Sequence, residues 1–209
     1  MTQPARTYRG QTAEERQEER RQRLLDAATE IWGTQGWAAV TMRGVCAKAG
    51  LIDRYFYENF ADRDALLVAV WDGVQAESLA ILGAAFEQAG DDPPTEQVRA
   101  GITALVESMV ADRVRAHIAL GDHAGSTLLQ DRRREVILLI SDLIIGLWRP
   151  WARPEVTDDE MRMWALVGIG GLYELVSAWH VGVVEASAEQ LIDQASEIGA
   201  VMVGHFLPE

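Results

Sequence analysis

Hydrophobic residues recur three or four positions apart along most of the 209-residue chain, which is the spacing of an amphipathic α-helix. The sequence contains no alternating strand pattern, internal repeat or low-complexity tract. The spacing therefore predicts an all-α protein of about nine helices. Their predicted ranges are residues 12–33, 41–50, 52–60, 62–87, 95–111, 113–120, 126–148, 157–181 and 187 onward.

Several predicted helix starts carry residues that satisfy the unpaired amides of a first turn. Thr12 with Glu15, and Thr157 with Glu160, match the capping box, in which each side chain accepts from the other residue's backbone amide. Asp62 is placed to cap the helix that follows it. Residues 90–94, Gly-Asp-Asp-Pro-Pro, are the clearest break between helices.

Residues 41–60 have the layout of a helix-turn-helix, which lays its second helix in the DNA major groove. Thr41 is the predicted N-cap of the first helix, and Val45, Cys46 and Ala49 form its small apolar face. Gly50 ends this helix, because glycine adopts a left-handed backbone at no steric cost.

The second of these helices is predicted over residues 52–60, with Phe56 and Phe60 on its inner side. Its predicted outer side chains are Asp53, Arg54, Tyr55 and Tyr57. A short helix with two tyrosines and an arginine facing outward is suited to a polyanionic partner.

Composition predicts a soluble intracellular protein of the cytoplasm. Hydrophobic residues make up 48% of the chain, enough for a large core, and the polar N-terminus is not a signal peptide. The longest apolar run, residues 136–148, is too short to cross a bilayer and contains Asp142. Cys46 is the only cysteine, so no internal disulfide forms; we interpret it as a small core residue, with redox sensing as the alternative.

The negative charge is unevenly distributed. Residues 1–65 carry ten basic and ten acidic residues, whereas residues 66–209 carry nine and 22, which accounts for the whole formal net charge of −13. An acidic body weakens loose binding to DNA but does not exclude a tight local site.

Residues 24–67, LLDAATEIWGTQGWAAVTMRGVCAKAGLIDRYFYENFADRDALL, resemble the N-terminal DNA-binding region of the TetR family of bacterial transcriptional regulators. The matching features are spaced along the whole segment: Trp32, Gly36, Thr41, Ala49-Gly50, Tyr57, Phe60, and Arg63 before Ala65-Leu66-Leu67.

The resemblance implies a role for each outer residue of the helix-turn-helix. Thr41 and Arg43 would contact the sugar-phosphate backbone, and Arg43 would also approach a base. Tyr55 and Tyr57 would make apolar and phosphate contacts. Arg63 would hold a phosphate at the start of the next helix.

The second helix departs from the family pattern at two positions. Position 52 is usually a small hydroxyl residue that caps the helix, and Ile52 cannot cap it. Asp53 is acidic where many relatives are basic or neutral, so it either accepts from a cytosine amine or orients Arg54. Arg54 is the candidate for direct base readout, because its guanidinium fits the edge of guanine.

Three regions follow from these patterns: a flexible tail (1–11), a DNA-binding domain (12–61), and a ligand-binding and dimerisation domain (62–209). Arg6, Tyr8 and Arg9 in the tail are alternative candidates for a minor-groove arm. The eighth helix is apolar on nearly every side and the last has heptad-like spacing, so we expect both to join a second copy, as the resemblance also implies. The predicted dimerisation residues are Gly171, Glu174, Ala178, Leu191, Ala195, Ile198 and Met202. Such a dimer would place its recognition helices roughly 34 Å apart on a palindrome.

A cavity in the large domain is predicted to hold a small hydrophobic or planar effector. Its candidate lining residues, each of which could instead be an ordinary core residue, are Trp71, Met109, His117, Trp148, Trp164 and Tyr173. Asp142 shares its helix face with polar residues and is interpreted as part of a solvated stripe.

Catalytic and metal chemistry find no support in the sequence. The four histidines lack the spacing of metal ligands, and neither a phosphate-binding loop nor a nucleophile turn is present. We therefore predict no enzyme activity and no cofactor. The prediction is a homodimeric regulator, most simply a repressor, that a small molecule releases from a palindromic operator. The alternative is an all-helical ligand-binding or sequestering protein without functional DNA binding.

Overall fold

The computed structural model describes residues 12–121 and 125–208, and within them every regular element is helical. The α-helices are α1 (Ala13–Gln35), α2 (Met42–Ala49), α3 (Asp53–Tyr57), α4 (Arg63–Ala89), α5 (Pro94–Ala111), α6 (Arg113–Leu120), α7 (Thr127–Trp148), α8 (Asp158–His180) and α9 (Ala188–Gly204). Two short 3₁₀ turns, Trp37–Ala39 and Arg149–Trp151, join neighbouring helices. The predicted all-α class is confirmed, whereas the predicted tail lies outside the described residues.

Capping residues begin the helices where the sequence predicts. The Thr12–Glu15 and Thr157–Glu160 capping boxes are both formed, and Ser187 with Gln190 forms a third at the start of α9. The side chain of Asp62 accepts from the amide of Ala65 at 2.8 Å. These boundaries follow from local hydrogen bonding, which the sequence specifies directly.

The helix predicted over residues 52–60 is shorter than expected, because α3 ends at Tyr57. The Asn59 side-chain amide donates to the Tyr55 carbonyl at 2.7 Å, while the Asn59 backbone amide donates to the Phe56 carbonyl at 3.0 Å. This side chain therefore replaces the helical hydrogen bond and lets the chain turn. Ile52 provides no cap at the other end, as expected, which costs about 1 kcal/mol relative to serine or threonine.

The chain forms two compact units, residues 1–73 and 74–209, and their boundary falls inside α4. In the first unit, α1 packs against α2 and α3 around a core that includes Leu24, Trp32 and Phe56. α4 is the one described helix whose length and mean hydropathy of 1.5 would suffice to span a membrane, but a core helix of a soluble protein has the same properties.

The second unit is organised around the close packing of α5 against α9 and of α7 against α8. Its main apolar cluster contains buried residues of α5, α6, α8 and α9: Ile102, Val106, Leu120, Val176, Leu191, Ile192 and Ala195. Gly199 permits the approach of α9 to α5, since a Cβ at this position would lie 2.6 Å from Cγ1 of Val98.

Replacing Gly199 by alanine is expected to lower the free energy of unfolding by about 1–3 kcal/mol, because either the Val98 side chain must rotate or the two helices must separate to admit the methyl group. Urea denaturation measures the change. Gly83→Ala is the matched control, since Gly83 lies in α4 and a methyl group added there would meet nothing within 4 Å; it should gain about 0.5–1 kcal/mol from helix propensity. Equal stability of Gly199→Ala and wild type would contradict the close-approach interpretation.

Candidate nucleic-acid interface and effector cavity

A rigid apolar core holds α2 and α3 in place. Val45 of α2 and Phe56 of α3 are fully buried, as is Leu24 of α1, which packs against both helices. The Phe56 and Phe60 rings lie 5.8 Å apart and close the core below the end of α3. The outer side chains of α2 and α3 are therefore presented on a fixed scaffold.

The turn between α2 and α3 is fixed by backbone and side-chain hydrogen bonds. Gly50 adopts the left-handed conformation (φ 64°, ψ 37°), and the Leu51 amide donates to the Cys46 carbonyl at 2.9 Å. Nη2 of Arg23 on α1 donates to the Ala49 carbonyl at 2.5 Å, so α1 secures the end of α2. The sequence pattern does not identify Arg23, because an arginine on the polar face of a helix looks the same whether or not it makes this contact.

Two of the predicted DNA-contacting residues lie at the exposed start of α2. Oγ1 of Thr41 accepts from the Gly44 amide at 3.1 Å, so this hydroxyl caps the helix, as expected. Arg43 follows within the first turn and is exposed. The structure places both side chains on the surface of the first unit.

The outer side of α3 carries Asp53, Arg54 and Tyr57, and all three are exposed. Nε of Arg54 donates to Oε1 of Glu58 at 2.8 Å, one helical turn away. This exposed ion pair is weak, so the guanidinium is readily exchanged to another acceptor. The Tyr57 ring is 61% exposed and meets Phe56 edge-on at 5.6 Å, which fixes its direction without burying it.

Tyr55 differs from its neighbours because it is half-buried. The guanidinium carbon of Arg20 lies 4.6 Å from the centre of the Tyr55 ring, and Nη2 of Arg20 lies 3.7 Å from Oε2 of Glu58. A cation-π contact and an ion pair thus join α1 to the outer edge of α3. Tyr55 therefore contributes to the packing of α3 as well as being a predicted contact residue.

Arg63 braces the start of α4 against the segment that precedes α2. Its Nε donates to the Val40 carbonyl at 2.5 Å and its Nη2 to the Trp37 carbonyl at 2.6 Å. Its guanidinium also lies over the Trp37 ring, 5.3 Å from the ring centre. The family resemblance implied only a phosphate contact for Arg63, and nothing local in the sequence shows that it joins residues 23 and 26 positions away.

Cys46 is buried, with 3% of its surface exposed, as its interpretation as a core residue requires. Burial raises the pKa of its thiol, and the negative charge of Asp53 raises it further. A thiol with a raised pKa carries little thiolate at neutral pH and reacts slowly with oxidants.

An apolar cavity of about 440 Å³ lies in the second unit, between α5, α7, α8 and α9. Its floor includes the buried residues Ile102, Met161 and Val203, whereas Val167 and Ile198 at its mouth are 67% and 57% exposed. The remaining lining residues are Val98, Ile144, Trp148, Trp164, Ala165, Gly168, Ile169, Gly171, Leu172, Leu175, Ala195, Gly199, Met202 and Phe206. With no ionisable side chain in this lining, the cavity suits an apolar guest.

Only two of the six predicted effector-binding residues, Trp148 and Trp164, line this cavity. Trp71 is instead buried in the first unit, and Met109 and Tyr173 pack against the main apolar cluster of the second. His117 lies beside His180, with ring centres 6.1 Å apart. Helical spacing marks a residue as inward-facing but does not reveal which neighbouring helix it meets, so it could not separate cavity from core.

The indole of Trp148 connects the cavity wall to the segment that follows α4. Its Nε1 donates to Oε1 of Gln97 at 2.9 Å. The buried Gln97 in turn donates from Nε2 to the carbonyls of Gly90 and Asp92, at 2.9 and 3.0 Å. Every polar atom of the Gln97 side chain thus has a partner, which fixes the orientation of the Trp148 ring.

The predicted dimerisation residues fall into two groups. Gly171, Glu174 and Ile198 are exposed, while Ala178 and Met202 are half-buried. Leu191 and Ala195 are 2% and 5% exposed, in the protomer's own apolar cluster, so little of either side chain is left to contact a second copy. Their spacing marks the face of α9 that packs inside the protomer.

His117 on α6 and His180 at the end of α8 form a pair that the sequence did not bring together. Burial lowers the pKa of His180, and the positive charges of His117 and Arg113 lower it further. The folded chain therefore binds a proton at His180 less readily than the unfolded chain does.

Acidification is expected to destabilise the protein through His180. Because its pKa is lowered on folding, its contribution to stability is fully present above its ordinary pKa of about 6.5 and is lost as the pH falls from there through the lowered pKa of the folded chain. Urea denaturation at pH 7.5, 6.5 and 5.5 should show a smaller decrease in the free energy of unfolding for His180→Gln than for wild type. An unchanged pH slope in that variant would contradict the assignment.

Asp142 and the arrangement of possible metal ligands complete the description of the polar groups. Asp142 is exposed and pairs with Arg162, as its interpretation as part of a solvated stripe requires. Among residues 12–121 and 125–208, no three or more histidine, cysteine or acidic side chains are grouped so as to hold a metal ion.

Known proteins resemble the chain in sequence over the first unit and in fold over most of its length. Residues 24–70 match the family model described as bacterial regulatory proteins, tetR family. No curated protein matches the sequence significantly. The resemblance predicted from residues 24–67 is therefore confirmed by the family model.

Three solved structures show the extent of the fold match. The fatty acid degradation regulator FadR from Bacillus halodurans is 15% identical, with a TM-score of 0.71 over 86% of this chain and 94% of its own. A TetR-family transcriptional regulator from Streptomyces coelicolor is 20% identical, with a TM-score of 0.68 over 92% and 99%. Another, from Pectobacterium atrosepticum, is 22% identical, with a TM-score of 0.67 over 95% and 99%.

Proposed function

We propose that this chain, which belongs to the TetR family of bacterial regulatory proteins, is a cytoplasmic transcriptional repressor that binds a palindromic operator as a homodimer. The observation that carries the proposal is the exposure of Arg43, Arg54 and Tyr57 on two helices whose inner apolar residues are buried. Rigid presentation of basic and aromatic side chains is what a recognition helix requires, because little ordering remains to be done on binding.

Each side chain of this surface receives a role from its chemistry. Thr41 and Arg43 hold phosphates at the start of α2, and Tyr55 and Tyr57 add apolar and phosphate contacts. Arg54 leaves Glu58 to bond a guanine edge, with Asp53 either orienting it or accepting from a cytosine amine.

Arg63 acts mainly as a positioning residue. Two of its nitrogens already donate to the Val40 and Trp37 carbonyls, and the third, Nη1, lies 3.8 Å from Oδ1 of Asp64, so a phosphate would have to compete with Asp64 for this nitrogen. Any displacement of the first turn of α4 is therefore passed to the segment that leads into α2.

A second copy would cover the apolar surface of α8 and α9. Met163 and Val167 on α8, with Ile198 and Val201 on α9, are 57–78% exposed, far more than isolated apolar residues of a monomer require. A methyl group added at Gly171 would meet nothing within 4 Å, which leaves room for a partner helix. The two-fold dimer would cover the mouth of the cavity at Val167 and Ile198 and shield its guest from water.

The cavity lining favours an apolar effector. A volume of about 440 Å³ lined by aliphatic and aromatic side chains suits an acyl chain or a compact aromatic molecule. The Bacillus halodurans neighbour is a regulator of fatty acid degradation, which makes fatty acids a reasonable first probe. Dodecanoate should raise the melting temperature with the logarithm of its concentration once that concentration exceeds the Kd, whereas acetate should not.

Release from DNA would be a shift between two populations. α4 is continuous from Arg63 to Ala89, so it begins in the DNA-binding unit and ends in the effector-binding unit. An effector that binds the state with a displaced α4 a few kcal/mol more favourably than the other state would move most molecules out of the DNA-binding state.

Footprinting on the DNA that flanks the coding region, followed by a salt series on the protected fragment, tests the proposal. The logarithm of affinity should fall with the logarithm of salt concentration by roughly 0.9 for each phosphate neutralised. A duplex of equal composition with the inverted repeat scrambled is the control.

A salt-independent or absent response would favour the alternative, an all-helical ligand-binding protein without functional DNA binding. The five-residue α3 with its uncapped start is the observation on that side.

A further inference from the structure

Ile52 is an unusual surface residue of the first unit. Among the described residues of this unit, Ile52 and Tyr57 are the only large hydrophobic side chains that are mostly exposed, at 63% and 61%. They lie at opposite ends of α3, since Ile52 directly precedes its first residue and Tyr57 is its last. The exposed apolar surface of this unit is thus concentrated at its recognition helix.

The Ile52 side chain contributes little to the stability of the first unit. It occupies the N-cap position with an extended backbone (φ −91°, ψ 157°), where a polar side chain would accept from an amide of the first turn. Its side chain makes no cap hydrogen bond and is largely solvent-exposed, so it contributes neither to the helix end nor substantially to the core. An aliphatic side chain at this position lowers helix stability and exposes apolar surface, which a contact outside the protomer would offset.

The chemistry of the major groove limits what that contact is. The N-terminal end of a recognition helix approaches the base edges, and the side chains beside Ile52 there are Asp53 and Arg54. Base edges in this groove present hydrogen-bond donors and acceptors, and the distinctive apolar group among them is the C5-methyl of thymine.

We propose that Ile52 contacts the C5-methyl group of one thymine in each half-site and selects a T·A pair there; this inference rests on the proposed DNA-binding function. Arg54 and Asp53 read polar edges at neighbouring positions, so the start of α3 recognises an apolar position beside polar ones. The missing helix cap is then linked to base selection.

Uracil provides the test, because it differs from thymine only in lacking the C5-methyl and keeps the same hydrogen-bonding groups. Wild type and Ile52→Ala are titrated with a set of duplexes made from the footprinted operator. In each duplex, one thymine and its symmetry-related thymine in the other half-site are both replaced by uracil. For wild type, replacement at one symmetric pair should weaken binding about 3- to 10-fold per half-site. Ile52→Ala should bind the thymine and uracil duplexes at that pair equally, and Ile52→Val should keep most of the discrimination.

The possible results separate the inference from the proposed function. If wild type binds the operator but no uracil replacement weakens binding, or if Ile52→Ala keeps the same penalty at every position, the methyl contact is wrong and the regulator remains. A uniform loss across all duplexes in Ile52→Ala, with the uracil penalty intact, would give Ile52 a structural role and overturn the inference. If no duplex binds, the proposed function fails, and the inference fails with it.

Discussion

Replacing Val201 by glutamate should make the chain monomeric and lower its affinity for a palindromic operator by about 10²- to 10⁴-fold. Val201 is 78% exposed on α9, beside Ile198 on the same apolar surface. A carboxylate there would have to be buried in the proposed interface without a partner, which costs several kcal/mol. Once the dimer is lost, the second half-site no longer adds to affinity through effective concentration. Light scattering measures the mass of the protein in solution, and fluorescence anisotropy measures its affinity for the operator.

Val183→Glu is the matched control for this variant. Val183 is 77% exposed, almost as much as Val201, but it lies in the loop between α8 and α9 and not on either helix. The Val183→Glu variant should leave both the mass of the assembly and its affinity for the operator unchanged. If Val201→Glu stays dimeric, or if wild type is itself a monomer at micromolar concentration, the α8–α9 interface is wrong.

Tyr57→Ala should lower operator affinity by about tenfold per half-site, and thus by about 100-fold for the dimer, while the chain stays folded. Tyr57 is 61% exposed and its ring meets the edge of Phe56, so its removal should leave the core of the first unit filled. Anisotropy titration measures the affinity, and thermal unfolding monitored by circular dichroism measures the fold.

Tyr57→Phe separates the two contacts that the side chain would make. It keeps the ring and removes the hydroxyl, so a preserved affinity would assign the effect to apolar contact and a partial loss would assign part of it to a phosphate. Full affinity in Tyr57→Ala would show that the family role does not transfer to this position.

Helix boundaries were predictable where the deciding residues are adjacent in sequence. Thr157 and Glu160 form their capping box, and Ser187 caps α9, because both signals act within one turn. The end of α3 was not predictable, since the Asn59 side chain replaces a helical hydrogen bond at Tyr55 and the apolar pattern continues unchanged to Phe60.

The other differences between the predictions and the structure arise from contacts between residues that are distant in sequence. Leu191 and Ala195 carry a heptad-like spacing whether they face α5 or a second copy, and only the packing of α9 on α5 distinguishes the two. The same ambiguity applies to Trp71, which the pattern grouped with Trp148 and Trp164 but which is buried in the other unit. Long-range contacts of Arg23 and Arg63 leave no local signal at all.

The hydrogen bonds from Trp148 through Gln97 to Gly90 and Asp92 have a mechanical consequence. A guest that pushed the indole aside would strain its hydrogen bond to Gln97 and, through it, the two bonds from Gln97 to the carbonyls of Gly90 and Asp92, just beyond Ala89. Under the proposed function, a displaced indole would therefore act on α4 at its C-terminal end. Since α4 is a single helix of 27 residues, the proposed release from DNA would start at the end of the helix farthest from Arg63.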